Sequence, residues 1–394
     1  MDDMSEPNEH LTRAPLSTPL APANRLVKLD ILRGLALFGV MAINLVFEFR
    51  VSIFEQFLPL NEIASPLDRA VEAFLDRAIT LKAFALFSLL FGAGLAIQFE
   101  RLPVKRRVVL LLRRLVVLLA IGLLHMTLIW NGDILTEYAL AGLLALPFLF
   151  GPTWLLATSG LLFLGLYLTP YLSQLVPLPD TSSMAHHVSD ARSVYATGSF
   201  SEVLSFRLGE LWAIAPLHVW IFPRTIALFL LGAFIWRTGV VQRASDNRWI
   251  LFGVALAAVM VTIGAGRELA TVTLAFAYGA SIIGLASTQP GSKLLGWAAP
   301  LGRMAFTNYL VQSLIFSWVF YGYRFGLFGQ VGASAALAFG VVVYVVQVFF
   351  SRWWLLRYSF GPVEWLWRTL MYGRAQPMKL PKAPPEHGYS SASG

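Results

Sequence analysis

Ten apolar runs of about 20 residues each constrain this chain more than any other feature. They lie near 27–47, 81–99, 110–130, 134–150, 153–172, 217–236, 249–266, 269–287, 302–321 and 332–350. In lipid every backbone N–H and C=O must find its partner inside the protein, and a helix does so within one segment. About 20 apolar residues carry a helix across the hydrocarbon. The chain is only 13% charged, against about 25% for soluble domains. The prediction is an all-α, polytopic membrane helix bundle of about ten spans.

The loop RLPVKRR after the second run carries Arg101, Lys105, Arg106 and Arg107, which the positive-inside bias assigns to the cytoplasm. Two spans precede it, so the N-terminus is expected inside. Placing alternate loops inside puts most of the 30 Lys+Arg on that side and both termini with them. The net charge of +8 then belongs to these loops and calls for no nucleic acid. The chain has no cysteine, which excludes disulfides, a cysteine nucleophile and thiolate metal sites. Residues 1–24, acidic and proline-rich, and 374–394 are expected to be disordered cytoplasmic tails around a membrane domain at 25–373.

The stretch from Arg25 to Asn44, RLVKLDILRGLALFGVMAIN, carries the polar residues that a plain anchor lacks. Asp30 and Arg33 are three apart and can pair. Arg33 and Asn44, eleven apart, share a face. Gly34 leaves room for a close neighbour. Ser65-Pro66 opens an amphipathic helix to about residue 80, resting on the outer surface or leading into the second span. Segment 173–210 is expected to be a solvated outer loop. Its His186, His187 and Asp190 do not predict a metal, because adjacent histidines diverge on a helix.

Polar residues are densest in RRLVVLLAIGLLHMTLIWNGDILTEYALAG. His125 follows Arg114 by eleven residues, on the same face. Asn131-Gly132 signals a turn. Asp133 then starts a helix that it can cap, with Glu137 one turn on. His125, Asp133 and Glu137 near the outer leaflet cost free energy unless they pair or work. Each alone has a plain structural role: a core histidine, an N-cap, an interfacial charge. Together they are the candidate catalytic cluster. Further along, Arg224 follows Pro223 and His218, and suits either a cavity or an outward snorkel. Arg303 and Thr307, then Asn308 and Gln312, form polar stripes on the ninth span. Residues 352–372, with Glu364 and Arg368 one turn apart, form an interfacial amphipathic helix with an aromatic belt.

The blocks LDILRGLALFGVMAIN, FALFSLLFGAG, GLLHMTLIWNGDILTEYALAG, LGRMAFTNYLVQS and GPVEWLWRTLMYG resemble, in that order, the YeiB-like family of bacterial inner-membrane proteins, named for a domain of unknown function. The opening block is also similar to the transmembrane acyltransferase superfamily, including its heparan-glucosaminide acetyltransferase and sugar O-acyltransferase types. That resemblance implies a ten- or eleven-helix bundle. It would take an acyl group from cytoplasmic acyl-CoA, a co-substrate rather than a bound cofactor, and deliver it to a small-molecule, lipid or glycan acceptor on the far side. The heparan type carries its histidine in the loop after the first span, and segment 45–80 here has none.

On this reading Arg33 with its partner Asp30, Arg113, Arg114 and Arg303 would hold the donor phosphates, since arginine presents a charged fork of donors. His125 would act as general base, oriented by Asp133 or Glu137. Asn44 or Asn308 would steady the oxyanion. The rival is a transporter of a small anionic solute, with the arginines as contacts and His125–Glu137 as proton relay. A membrane scaffold for a partner enzyme is the third reading.

Overall fold

The computed structural model describes residues 27–58, 65–175 and 180–380; Arg25, the segment 1–24 and residues 381–394 lie outside the described residues. Helix α1 (Val27–Asn44) is apolar on nearly every side and forms the axis of the bundle. It runs into a π-helical turn, Leu45–Phe49, closed by the Arg50 N–H on the Leu45 carbonyl at 3.0 Å. Such a turn holds one residue more than an α-turn and re-aims the side chains beyond it. Here it re-aims Glu48.

Ser65 accepts from the Asp68 N–H and starts α2 (Pro66–Ala78). Leu81 follows with φ of 62°, a left-handed backbone that leucine rarely adopts, and α3 (Lys82–Arg101) begins there. Helices α4 (Arg107–Leu128) and α5 (Ile134–Ala145) form a hairpin about Asn131-Gly132. Then come α6 (Thr153–Leu168), α7 (Pro170–Leu175), α8 (Thr181–Thr197) and the long α9 (Phe200–Arg237). Helices α10 (Arg248–Ile263) and α11 (Arg267–Ala286) pack side by side. The short α12 (Gln289–Leu295) and α13 (Ala299–Arg303) lead to α14 (Ala305–Phe320), α15 (Ala333–Leu355) and α16 (Pro362–Tyr372).

Six of these stretches are long and apolar enough to cross a membrane: Val27–Phe49, Pro66–Arg101, Val104–Leu128, Phe200–Arg237, Arg267–Ala286 and Ala333–Leu355. Four shorter apolar helices, Ile134–Phe150, Thr153–Leu168, Arg248–Ile263 and Ala305–Phe320, occupy the remaining apolar runs of the sequence. The outer surfaces of α6, α10 and α15 expose Trp154, Leu162, Trp249, Leu256, Val342 and Phe349. An apolar surface of that extent belongs in lipid. This is an all-α membrane protein.

Small residues bring helices into backbone contact. A Cβ on Gly34 would run into the Ala298 carbonyl, so α1 lies directly against the segment entering α13. Helices α3 and α9 meet in the same way at Gly92 and Gly232.

The segment expected as a solvated loop, 173–210, is instead helical wherever it is described, apart from the short connections at Asp180 and Gly198–Ser199. Its caps explain the difference. Asp180 accepts from the Ser182 and Ser183 N–H groups at the start of α8. The Ser182 hydroxyl, the Ser183 donors and the Ser182 amide together hold its carboxyl well below the usual carboxylate range. Ser199 and Glu202 form a reciprocal capping box that starts α9 well before residue 217.

The C-terminal region also differs from expectation. Residues 374–380, read as the beginning of a tail, dock on the fold: the Ser359 N–H donates to Met378 (2.8 Å) and the Trp365 indole to the Gln376 carbonyl (2.7 Å). Helix α16 packs on α4 and α14. Its Glu364 turns inward and accepts from the N–H groups of Phe306 (2.8 Å) and Thr307 (3.0 Å), capping α14. Burial pushes the Glu364 carboxyl above its ordinary range, although these donors favour the charge. Glu364→Ala leaves the donors at the head of α14 unpaired and is expected to cost about 1–3 kcal/mol. The readout is a lower unfolding midpoint in detergent; an unchanged midpoint would remove the cap's importance.

Candidate functional site

At the end of the bundle where α1 begins, arginines gather. Arg33 pairs with Asp30 at 3.0 Å, as their spacing along one helix face allows. The Arg114 guanidinium stacks on Trp367, 4.0 Å from the ring centroid, and lies within electrostatic range of Arg33 and Arg368. Arg113 lies beside Gly373, and Arg303 donates to the Ser359 carbonyl at 3.4 Å. These cations from α1, α4, α13 and α16 gather at one end of the bundle, with the Arg114 guanidinium held between Trp367 and Phe91.

At the opposite end a cavity of about 250 Å³ opens between the π-helical turn, the start of α3, α5, α9 and α11. Its polar wall comprises Glu48, Asp133, Glu137, His218, Arg224 and Thr225, with Arg267 and Glu268 among its other lining residues. Leu81, with its left-handed backbone, is part of the wall. Strain of this kind gathers at functional sites.

The three residues expected to act together fall into two pairs. His125 is 2% exposed and its Nδ1 lies 2.8 Å from Asp133 Oδ1. The other Asp133 oxygen accepts from the N–H (2.8 Å) and hydroxyl (2.9 Å) of Thr136, so this one carboxylate caps α5 and holds the histidine. His125 Nε2 has no hydrogen-bond partner among the described residues, and the ring lies behind the cavity wall, 5.3 Å from the Tyr309 ring. Glu137 turns away from it. One of its oxygens accepts from the Thr225 hydroxyl, and the other lies 3.2 Å from His218 Nδ1. His218 is the histidine that lines the cavity, with 37% of its side chain exposed.

Asn44 and Asn308 are not in the cavity wall. Asn44 is buried beside the π-helical turn with its Oδ1 unpartnered among the described residues. Asn308 donates to Ser351 (2.9 Å), and its carbonyl accepts from Gln347 (3.0 Å), which also takes the Gln312 amide (2.7 Å). This set ties α14 to α15, as buried amides do between membrane helices.

Beside the cavity lies a second, water-sized space of about 10 Å³, bordered by Glu48, Ser52, Asn131, Tyr195 and Glu210. Glu210 accepts from Asn131 (2.5 Å) and Tyr195 (2.5 Å) and lies 2.7 Å from His187 Nε2. Arg207, one turn before it, is fully buried and donates to the Thr127 carbonyl at 3.2 Å. Among the described residues no three His, Asp or Glu side chains gather as a metal site.

An aromatic layer lies between Arg114 and the cavity. Phe91 lies 5.7 Å below the Arg114 guanidinium and meets Tyr138 at 5.4 Å and Phe229 at 4.8 Å. Tyr138 lines the cavity on the other side and shares a 2.9 Å bond with Ser88.

In the sequence His218 stands out only as a neighbour of Pro223 and Arg224, and Thr225, Glu48, Arg207 and Glu210 do not stand out as site residues. His218 and Thr225 are seven apart, two turns on one face, which was the available signal. Arg207 and Glu210 stand three apart, but within a segment read as loop.

A family profile described as "Protein of unknown function (DUF418)" matches residues 217–374. The chain is 32% identical to "Uncharacterized protein YxaH" of Bacillus subtilis over 91% of its own length and 97% of that protein's. It is 31% identical to "Uncharacterized protein YeiB" of Escherichia coli, over 90% and 98%. It is 27% identical to an "Uncharacterized 39.9 kDa protein in amylase 3'region" of Bacillus acidopullulyticus, over 92% and 99%. No solved structure matches.

Proposed function

The chain belongs to the YeiB-like family of proteins of unknown function (DUF418), and within it we propose a membrane-embedded acyltransferase of the bacterial inner membrane, built on ten spans with both termini cytoplasmic. The observation that carries this reading is the His218–Glu137 pair in the cavity, with an aromatic layer between that cavity and Arg114. A histidine whose Nδ1 faces a carboxylate presents Nε2 to the cavity as a base. The carboxylate holds the ring and offsets the charge that develops on it, and Thr225 holds the carboxylate.

In this mechanism acyl-CoA docks its phosphates on Arg33, Arg113, Arg114 and Arg303 from the cytoplasm. Its thioester arm passes the Phe91–Tyr138–Phe229 layer, which must part to admit it. His218 takes the proton of the acceptor hydroxyl or amine as that group attacks the thioester carbonyl. The tetrahedral intermediate collapses, and the thiolate leaves with the proton from His218. His125 stands behind the wall and, held by Asp133 in it, fixes the α4–α5 hairpin that carries Glu137.

The test is release of free thiol from acetyl-CoA and longer acyl-CoAs by purified protein, supplied with an extract of envelope lipids and glycans. With no cysteine in the chain, a thiol reagent reports only the product. Thiol release that depends on the extract supports the reading. Its absence with every acyl-CoA sinks it. For the donor surface, Arg114→Ala is expected to weaken acyl-CoA binding about tenfold or more in a thermal-shift titration, the loss of one charge-assisted contact. Equal binding by the variant would place the donor elsewhere.

The transporter reading draws on the same aromatic layer, which closes the cavity from the arginine end as a gate would. Covalent change separates the two: a transporter moves its solute into vesicles unaltered.

A further inference from the structure

We propose that the cavity binds an amphipathic molecule by one anionic group, carboxylate or phosphate, seated on Arg224; this rests on the acyltransferase reading only in calling that molecule the acceptor. Arg224 is 2% exposed and lines the cavity. Its Nε and Nη1 have no hydrogen-bond partner among the described residues, and neither has the hydroxyl of Tyr167, whose ring lies 5.7 Å from the guanidinium. A guanidinium taken out of water and left unpaired is costly, so a partner for it is expected in the space it faces.

The protein's own carboxylates do not fill that role. Glu137 is committed to Thr225 and His218, and Asp133 to His125 and Thr136. Arg267 on the same wall is held by Asp76 at 2.5 Å. Glu268 also lines the cavity, and Glu48 stands against Gly132 on the wall shared with the water-sized space. Arg224 therefore presents an open fork of donors, the geometry that takes a carboxylate or phosphate at two points. The same cavity is also lined by Phe84, Leu217, Trp220 and Ile221, which would pack an alkyl body. An acidic head on an apolar body satisfies both surfaces. With the head on Arg224, its hydroxyl or amine would meet His218 on the same helix.

The probes are four eight-carbon amphiphiles: octanoate, octyl phosphate, octanol and octylammonium. They are titrated by calorimetry into the full chain in lipid nanodiscs. Octanoate or octyl phosphate is expected to bind saturably, whichever is tighter naming the head group, with octanol at least tenfold weaker and octylammonium not binding. Arg224→Gln is expected to weaken the anion at least tenfold and to leave octanol unchanged, whereas His218→Ala keeps the anion. Should Arg224→Gln fail to fold, the charge preference of the wild-type protein decides alone. Equal binding of octanoate, octyl phosphate and octanol, or anion binding unchanged in Arg224→Gln, overturns the proposal and leaves Arg224 to water. Anion binding without thiol release would remove the acyltransferase reading and keep this site; thiol release without anion preference would do the reverse.

Discussion

His218→Ala is expected to slow acyl transfer by about 10²–10⁴-fold, the contribution of a positioned general base. The stability of the protein should barely change. More than a third of the side chain is exposed, 37%, and removing it leaves Glu137 still bonded to the Thr225 hydroxyl. No buried group loses its last partner, which is the usual route to a large destabilisation. His218→Gln is the sharper comparison. Its amide can donate to Glu137 much as Nδ1–H does but cannot take a proton, so it should be as inactive as alanine. Acyl-CoA binding should survive in both, because the gathered arginines are at the other end of the bundle. The measurement is the initial rate of thiol release beside the unfolding midpoint. Full activity in His218→Ala would remove the base assignment. Equal loss in rate and midpoint would show that the histidine is structural.

Gly92→Val is expected to abolish assembly of the bundle, the largest structural effect of any single change discussed. A Cβ at Gly92 would run into the Phe229 carbonyl, and one at Gly232 into the Leu89 carbonyl. Each helix thus meets the other's backbone through a glycine, the close crossing that small residues permit in membranes. The obstructing atoms are main chain, so no side-chain rotation can yield. Overpacking that side chains can relieve costs about 1–3 kcal/mol; here α3 and α9 must separate. That separation would also break the Phe91–Phe229 stack and move Arg224, Thr225 and His218 away from Phe84 and Ser88 across the cavity. Gly92→Ala should give a smaller version of the defect. Elution behaviour and unfolding midpoint in detergent report both. A monodisperse Gly92→Val protein with the wild-type midpoint would show that the crossing is less tight than described.

Several parts of this architecture were legible in the sequence because their causes are local. The apolar runs dictate helices whatever surrounds them, since lipid offers no hydrogen bonds. Ser65-Pro66 is a start signal that works within one turn, and α2 begins there. Asp30 and Arg33 meet because they are three apart on one helix. His125 and Asp133, only eight residues apart, meet across the tight Asn131-Gly132 turn. The capping box at Ser199 and Glu202 was equally local, and it was passed over because the segment around it is polar.

The rest of the site was decided only by packing. Glu137 lies one turn beyond Asp133, so the sequence favours giving both to His125. Yet Asp133 alone satisfies the Nδ1 of His125, and Glu137 finds Thr225 and His218 some eighty residues on, at separations of 88 and 81. Periodicity says which face a residue shares, but not which helix will lie against that face. The π-helical turn at Leu45–Phe49 sets the direction of Glu48, and no composition signal marks it. Arg224 was ambiguous between a cavity and the lipid boundary until α5, α6 and α11 enclosed it. By itself the sequence determined the class of protein, the helices and the contacts closed within one or two turns. Which histidine meets which carboxylate, and which arginine is left open, was decided by the tertiary structure, because those pairings depend on where separate helices come to rest against one another.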